Sequence, residues 1–485
     1  MPELTQRRRL LVLGICCLSL LIVSMDVTIV NVALPSIRSS LTASVSGLQW
    51  TIDAYVLVLA SLLMLSGSTG DRIGRRRTFQ AGLVLFTIGS LLCSVAPGLG
   101  WLIAFRMVQA VGGSMLNPVA LSIITNVFTE RRERARALGI WAGVAGISLG
   151  LGPVIGGVLI ETVGWRAIFW INVPIGAVAF VLAARFVPES KADRPRRPDP
   201  IGQLLVLIAL ASLTYAIIEA PHAGWTSVTT VALVVLSVVA VAGVLAYEPR
   251  RGDPLLELRF FRSVPFAGVT VIAVCAFAAF AGFLFLNTLY LQEVRDLSAL
   301  QAGLCTAPLA LMMLVFGPLS GRLVAARGPR ISLIVAGTAM CGGALMLLAL
   351  DVDTSLAWVL ASYALFGIGV GMVNSPIANT TVSGMPRSQA GVAAAIASTS
   401  RQVGAALGVA VVGSVLNSGL HGPIRAGFSV ASRPAWWILA GCGLAVLTLG
   451  TITSGRWAVS TVERTAHLFA EDPDEAAIHP AGART

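Results

Sequence analysis

The chain has 485 residues, of which 56% are hydrophobic, 12% are charged and 49 are glycine. Soluble domains carry about 25% charged residues, so this composition excludes an ordinary soluble fold. The formal net charge of +11 is compatible with a nucleic-acid partner, but the arginines fall in short clusters between long apolar runs, as in the cytoplasmic loops of membrane proteins. We therefore expect no nucleic-acid partner.

The seven cysteines all lie inside apolar runs, without CxxC or cysteine–histidine spacing. Such cysteines behave as small apolar residues, so we expect neither a disulfide framework nor a metal site. Arg7, Arg8 and Arg9 precede an apolar run that imitates a secretory signal peptide. Because the run continues past Asp26 to Pro35 without a small-residue cleavage site, we interpret it as a retained first span.

Apolar stretches of about 20 residues, enough to cross a bilayer as a helix, recur along the chain. They lie near residues 10–34, 47–66, 79–96, 101–127, 136–160, 167–187, 201–219, 226–247, 266–290, 302–325, 330–350, 355–380, 390–416 and 435–455. Polar segments at 188–200 and 248–265 divide these fourteen spans into groups of six, two and six.

The predicted fold is therefore an all-α membrane protein. It has a six-helix bundle over 1–187, cytoplasmic linkers with two extra spanning helices over 188–265, and a second six-helix bundle over 266–455. Residues 456–485 are polar and acidic near Glu471, which predicts a disordered cytoplasmic tail.

The basic residues predict the orientation. Alternate polar segments, counted from the N-terminus, hold 27 of the 34 lysines and arginines, and Arg106 and Arg401 lie within spans. Because cytoplasmic loops of membrane proteins are rich in basic residues, both termini are expected in the cytoplasm. The same pattern supports an even number of spans and a multi-pass protein of the cell membrane.

The two groups of six spans show a trace of duplication. The run ending in Asn117-Pro118 in span four resembles the run around Asn374 in span twelve, 257 positions later. The same offset superposes Gly156 on Gly413. Repeated bundles are the usual construction of secondary transporters, whose binding site lies between the halves near the midplane.

Three ionisable residues lie inside the first bundle, where charge is costly and usually functional. Asp26, Asp53 and Arg106 lie about 8 to 13 Å below the same face, from the helical rise per residue. We expect Asp26 to titrate the proton with Arg106 as its partner, and Asp53 to be the second acid. The alternative is a static ion pair and a water-facing aspartate that only hold helices together.

Two other ionisable residues have less certain surroundings. Glu219 ends span seven, where an ordinary interfacial carboxylate is the simpler interpretation. Arg401 lies about 17 Å into span thirteen. It could attract an anionic group or face a polar cavity, or it could bond backbone carbonyls in a structural role.

Span five is rich in small residues, which permit close approach of helices, while its proline removes a helix hydrogen bond. These residues are Gly143, Gly146, Gly150, Gly152, Pro153, Gly156 and Gly157. Generic packing would explain isolated glycines, but the GPxxGG cluster suits a surface on which two halves rock.

Several motifs together carry a family resemblance. The loop GSTGDRIGRRR from Gly67 resembles the GxLaDrxGrr signature of the major facilitator superfamily. Asp26 lies in MDVTIVNVALP and Asp53 in WTIDAY, which resemble the first-span motif and the WxxDxY pattern of the fourteen-helix drug:proton antiporters of the EmrB/QacA type. Arg106 begins a match to the RxxQGxG motif, and the fifth-span GPxxGG and the segment 165–176 also fit.

The resemblance implies export in exchange for protons, with the proton gradient as the energy source and no cofactor, by a protein that functions as a monomer in lipid. Expected substrates are small, hydrophobic or cationic. The residues implied in proton coupling or substrate binding are Asp26, Asn31, Asp53, Arg106, Gln109, Asn117, Glu219 and Arg401. The residues implied in a cytoplasmic gate are Gly67, Asp71, Arg72, Gly74, Arg75 and Arg76. The GPxxGG segment, with Gly146 and Gly150, would form the interhelical hinge.

There are departures from the family pattern. Ala110 replaces the glycine after Gln109, Gly70 replaces the usual alanine before Asp71, and the second-half copy at 317–330 lacks the acid. The last departure suggests that gate electrostatics reside mainly in the first half.

Other functions remain as alternatives. A dedicated exporter or importer of one metabolite would show a narrow substrate range. A polytopic membrane enzyme is a remote alternative, because none of the four histidines lies near another candidate catalytic residue, and we expect no enzyme. The chain has no GxxxxGK[ST] sequence, so ATP is not expected as its direct energy source.

Overall fold

Among the residues that the computed structural model describes, fourteen helices are long and apolar enough to cross a membrane. The structure describes residues 5–192, 199–251, 257–382, 390–420, 422–455, 457–458 and 460–461. The helices are α1 Gln6–Leu41, α2 Val45–Ile73, α3 Arg75–Ser94, α4 Leu99–Val127, α5 Arg131–Thr162, α6 Ala167–Phe186, α7 Pro200–Ala223, α8 Val228–Tyr247, α9 Val264–Val294, α10 Ala299–Arg327, α11 Pro329–Met346, α12 Leu356–Val382, α13 Ala390–Gly419 and α14 Arg433–Thr453. The prediction of an all-α fold with fourteen spans is confirmed.

Local chemistry explains where several helices begin. The Ser44 hydroxyl accepts a hydrogen bond from the Gly47 N–H at 3.1 Å and caps α2. Asp199 caps α7 in the same way, just before Pro200 in the first turn. Ser298 and Gln301 form a reciprocal capping box at the start of α10.

Three spans contain irregular turns that hydropathy did not predict. Helix α6 is interrupted at Ile171, and α9 ends in a π-helical turn, Tyr290–Val294. Helix α10 is interrupted at Thr306, next to Pro308, which has no N–H to continue the helical hydrogen bonds. Hydropathy reports the apolar length of a segment, so it detected these spans and missed their interruptions.

Two groups of helices pack as bundles. Helices α1–α6 pack on one another, as do α9–α14, and the groups meet along two seams, α2 against α13 and α5 against α10. Helix α7 covers the α2–α13 seam and α8 packs on α7. The Trp50 and Tyr215 rings, 5.4 Å apart, join α7 to α2. The domain boundaries at 187 and 265 stay predictions, and the predicted tail lies outside the described residues from 462 onward.

Because the fourteen spans alternate in direction, α1 begins and α14 ends at one face of the molecule, which we call the terminal face. Polar contacts join the two bundles near the opposite face. The Arg38 guanidinium lies 3.2 Å from the Glu293 carboxylate, and the Gln292 amide donates to the Val32 carbonyl at 2.9 Å. The bundles are therefore held together at the opposite face in this conformation.

Candidate functional site

Asp26 and Arg106 form an ion pair inside the first bundle. Their side chains are 0% and 1% exposed, and Arg106 Nη1 donates to Asp26 Oδ2. The other oxygen, Oδ1, accepts from Gln109 Nε2 at 2.9 Å and from Asn172 Nδ2 at 3.3 Å. The carboxylate is thus surrounded by donors from two further side chains as well as by its counterion, which is how a buried charge is tolerated.

The Arg106 guanidinium makes further contacts beside its bond to Asp26. Its Nε donates to the Thr51 carbonyl at 3.3 Å, and its Nη1 donates to Gln109 Oε1 at 2.8 Å. The guanidinium carbon lies 4.0 Å from the centre of the Tyr55 ring, a distance suited to a cation–π interaction. Helices α1, α2, α4 and α6 therefore all contribute to one network. The pairing of Asp26 with Arg106 expected from their depths is present in the structure.

Sequence reasoning did not single out Asn172 and Ser90. The Ser90 hydroxyl accepts from Asn172 Nδ2 at 3.0 Å and from Gln109 Nε2 at 3.3 Å, and donates to the Phe169 carbonyl at 2.9 Å. Asn172 lies near the start of span six, in the segment 165–176 whose sequence resembles the family. That resemblance was the sequence feature that could have pointed to it. No sequence feature marked Ser90, because a single serine in an apolar span is common.

Asp53 does not join this network, although it lies at a similar depth. Arg106 contacts the backbone carbonyl of Thr51 and the ring of Tyr55, both on α2. Asp53 lies two residues from each, about 200° around a helix of 3.6 residues per turn. Its side chain is 0% exposed, and neither carboxylate oxygen accepts a hydrogen bond within the described part of the chain. The structure therefore places Asp53 outside the Asp26–Arg106 network.

The second bundle has an aromatic cluster where the first has the ionic network. At the offset of 257 positions, Asp26 corresponds to Phe283, Arg106 to Tyr363, and Gln109 to Phe366. Phe283 stacks on Phe366 with ring centres 4.1 Å apart, and the Tyr363 hydroxyl donates to Asn287 Oδ1 at 2.5 Å. At these three positions only the first bundle carries charge.

Four other predicted residues lie apart from the ion pair. Asn31 and Asn117 are buried or half-buried, and neither side-chain carbonyl oxygen accepts a hydrogen bond within the described residues. Glu219 is half-buried near the opposite-face end of α7. Half-buried Arg401 donates to the Ser398 hydroxyl at 3.3 Å.

The predicted gate residues surround the α2–α3 turn at the terminal face. Asp71 Oδ1 accepts from Arg75 Nε at 3.0 Å and from Arg75 Nη2 at 2.8 Å, whereas Arg72 is exposed. A Cβ added at Gly67 would lie 3.7 Å from Pro118 of α4. The motif is therefore packed within the first bundle here, and its gating role stays a prediction.

The segment after α6 holds this turn in place. The Arg75 N–H donates to the Ser190 carbonyl at 2.9 Å, and the Arg76 N–H donates to Glu189 Oε1 at 3.0 Å. The Glu189 carboxylate also lies within 4 Å of the Arg76 and Arg77 guanidinium groups. No sequence pattern predicts this contact, since it joins residues more than 110 positions apart.

Gly74 offers a test of the turn. Its φ of +131° disfavours any L side chain, and an added Cβ would lie 2.7 Å from Glu189 Oε1. We expect Gly74→Ala to destabilise the protein by about 1–3 kcal/mol, measured as a lower midpoint of thermal unfolding. Gly98→Ala is the matched control, because Gly98 has extended backbone and nothing within 4 Å of an added Cβ. Equal midpoints for the two variants would contradict this role.

Most glycines of the small-residue cluster in α5 lie where a neighbouring helix comes close to α5. An added Cβ would lie 2.6 Å from Ala310 Cβ at Gly150, and 2.6 Å from the Ala299 carbonyl oxygen at Gly157. Gly152 and Gly156 face α1 instead. Gly143 and Gly146 differ, since a Cβ added at either position would meet nothing within 4 Å. The predicted hinge segment therefore lies between α1 and α10, with Gly146 outside its tight contacts.

Comparison with known proteins agrees with this architecture. Residues 16–409 match the family model described as Major Facilitator Superfamily. The chain belongs to the major facilitator superfamily. With its fourteen apolar helices, this major facilitator is a multi-pass membrane protein and a transporter.

Named relatives and a solved structure are similar to this major facilitator. It is 37% identical to the multidrug resistance protein Stp of Mycobacterium tuberculosis over 86% of this chain and 78% of Stp. It is 35% identical to the tetracenomycin C resistance and export protein of Streptomyces glaucescens, over 82% and 74% of the two chains. A bacterial homologue of the human lysosomal transporter Spinster shares the fold, with a TM-score of 0.62 and 18% identity over 97% of this chain and 100% of that one.

Proposed function

We propose that this major facilitator exports small amphipathic drugs or antibiotics in exchange for protons by alternating access. The terminal face would lie in the cytoplasm, as the distribution of arginine and lysine favours. Relatives named for multidrug resistance and for antibiotic export support the substrate class. The proton gradient would supply the energy without a cofactor.

The observation that carries the proton-coupling proposal is the buried Asp26–Arg106 pair. A buried ion pair is stable only while both partners keep their charge. Protonating Asp26 would leave Arg106 uncompensated in the membrane, so proton uptake would alter the packing of α1 against α4. Gln109 and Asn172 would position the carboxylate, because both donate to Asp26 Oδ1.

The remaining predicted residues would bind the substrate or carry a second proton. Asp53 would be the second acid, as the sequence suggested. Arg401 would interact with an acceptor or anionic group of the substrate, because the hydrogen bond that it donates to the Ser398 hydroxyl is long, at 3.3 Å, and brings it no opposite charge. Asn31 and Asn117 each carry a buried amide oxygen that could accept from substrate. Glu219 would contribute at the opposite-face end of α7.

A substrate panel on inverted membrane vesicles tests this proposal. Vesicles containing the intact protein are expected to accumulate ethidium, a fluorescent hydrophobic cation, or another amphipathic drug of the panel when their lumen is acidified. Collapse of the pH difference with a proton carrier should stop uptake. Accumulation of a single metabolite, unaffected by the carrier, would instead favour the dedicated metabolite transporter.

A further inference from the structure

The α2–α13 seam contains a polar contact between the two bundles. Gln49 of α2 is fully buried, and its Nε2 donates to the Val409 carbonyl at 3.2 Å and to the Ala410 carbonyl at 2.9 Å. A Cβ added at Gly413 would lie 2.5 Å from the Gln49 amide nitrogen. The Gln49 amide therefore fits against α13 because Gly413 has no side chain at the place that the amide occupies.

Asp53 lies one helical turn from Gln49, on the same side of α2. Its carboxyl group is fully buried, and neither oxygen accepts a hydrogen bond within the described residues. An ionised carboxylate in such a place costs several kcal/mol unless it is paired. The closed seam therefore favours the neutral, protonated carboxyl group.

Neighbouring cations do not offset this cost. The charged residues in the membrane-spanning parts of the helices packed against α2 are Asp26 on α1, Arg106 on α4, Glu219 on α7 and Arg401 on α13. Arg106 is bonded to Asp26, and Arg401 is bonded to Ser398. Neither arginine lies within salt-bridge distance of Asp53, and the two acids would disfavour a further negative charge.

The other seam lacks the equivalent groups. At the offset of 257 positions, Gln49 corresponds to Thr306 and Asp53 corresponds to Ala310. The Thr306 hydroxyl donates within its own helix, to the Gly303 carbonyl at 2.7 Å. Ala310 packs against Gly150 of α5. At these positions, only the α2–α13 seam has a side chain that can bind a proton.

We propose that Gln49 and Asp53 form a proton-dependent latch between α2 and α13, resting on the proton exchange proposed above. With the seam open to the opposite compartment, the ionised Asp53 is hydrated and takes a proton from water. The neutral carboxyl group can then be buried, the seam closes, and Gln49 bonds to the α13 carbonyls. Loss of this proton to water of the compartment at the terminal face makes burial of the carboxylate unfavourable and releases the seam. Gln49 is thus a positioning residue for alternating access.

The latch can be measured without any substrate. Spin labels at Ser39 of α1 and Ser418 of α13, both exposed near the opposite face, report the distance between the bundles by pulsed electron resonance in lipid nanodiscs. The labelled protein has its native cysteines replaced. The short-distance population is expected to grow as the pH is lowered.

Three variants separate the two residues from general effects. Asp53→Asn, a neutral isostere, is expected to remain closed at every pH. Gln49→Ala is expected to raise the open-to-closed ratio about three- to ten-fold at each pH, the effect of losing a buried hydrogen bond, while keeping the pH dependence. Thr306→Val, the control at the corresponding position of the other seam, should match the parent protein.

Wild-type pH dependence in Asp53→Asn would overturn the proposal, as would an unchanged distance distribution in Gln49→Ala. The outcome is separable from that of the transport assay, because the distances need no proton-coupled substrate movement. Absence of proton-coupled uptake in vesicles would contradict the proposed function, even if the distance between the bundles responds to pH. A seam indifferent to pH would reject the latch even if the vesicles transport.

Discussion

Asp26→Asn is expected to abolish proton-coupled transport. Asparagine cannot bind and release a proton, and its amide would leave the buried Arg106 without a counterion, a loss of about 3–5 kcal/mol for a broken buried pair. Uptake into inverted vesicles should fall to the level of vesicles without the protein. Equal amounts of the variant and the parent protein in the membrane fraction would show that transport is lost for a reason other than failed membrane insertion.

A double variant separates charge balance from proton exchange. Asp26→Asn combined with Arg106→Gln removes both charges, so it should regain much of the thermal stability that the single variant loses. It should remain inactive, because no titrating carboxyl group has been restored. Asp26→Glu keeps that group and is expected to retain partial activity. Undiminished coupled transport by Asp26→Asn would remove this residue from the mechanism.

The second large effect is expected at Gly157 in the α5–α10 seam. A methyl group there would lie 2.6 Å from both the Ala299 carbonyl oxygen and the Leu300 Cα. Backbone atoms cannot move aside as a flexible side chain can, so Gly157→Ala should destabilise the closed seam by about 1–3 kcal/mol. We expect transport to fall about ten-fold, measured as initial uptake in vesicles.

Gly146→Ala is the matched control within the same helix. An added methyl group at Gly146 meets nothing within 4 Å, and alanine favours helix over glycine by about 1 kcal/mol. This variant should transport as well as the parent protein and unfold at the same or a higher temperature. Equal losses at both positions would show that α5 requires glycine for flexibility rather than for close contact.

The fold was predictable from sequence because its main determinant is hydropathy. Each span is long enough to cross a bilayer, and the chain must satisfy its backbone hydrogen bonds within helices there. The ion pair was predictable for a related reason. Asp26 and Arg106 are too costly to bury alone, so their similar depths indicated that they meet.

The rotation of a helix about its axis was not predictable from depth. Asp53 lies at the expected level, yet it is about 200° around α2 from Tyr55, whose ring contacts Arg106, and lies one turn from Gln49, which bonds to α13. Gln49 was missed because its partner carbonyls are 360 and 361 residues away along the chain. Backbone carbonyls occur at every position of α13, so no sequence pattern marks the two that Gln49 contacts.

The central claim is that substrate and proton move in opposite directions through one protein. Purified protein in liposomes, with a pH-sensitive dye in the lumen and the membrane potential clamped, tests it directly. When a transported drug is added outside with no initial pH difference, its entry should make the lumen more alkaline as protons leave. Drug entry with a constant lumen pH would contradict proton exchange, even though the chain belongs to the major facilitator superfamily.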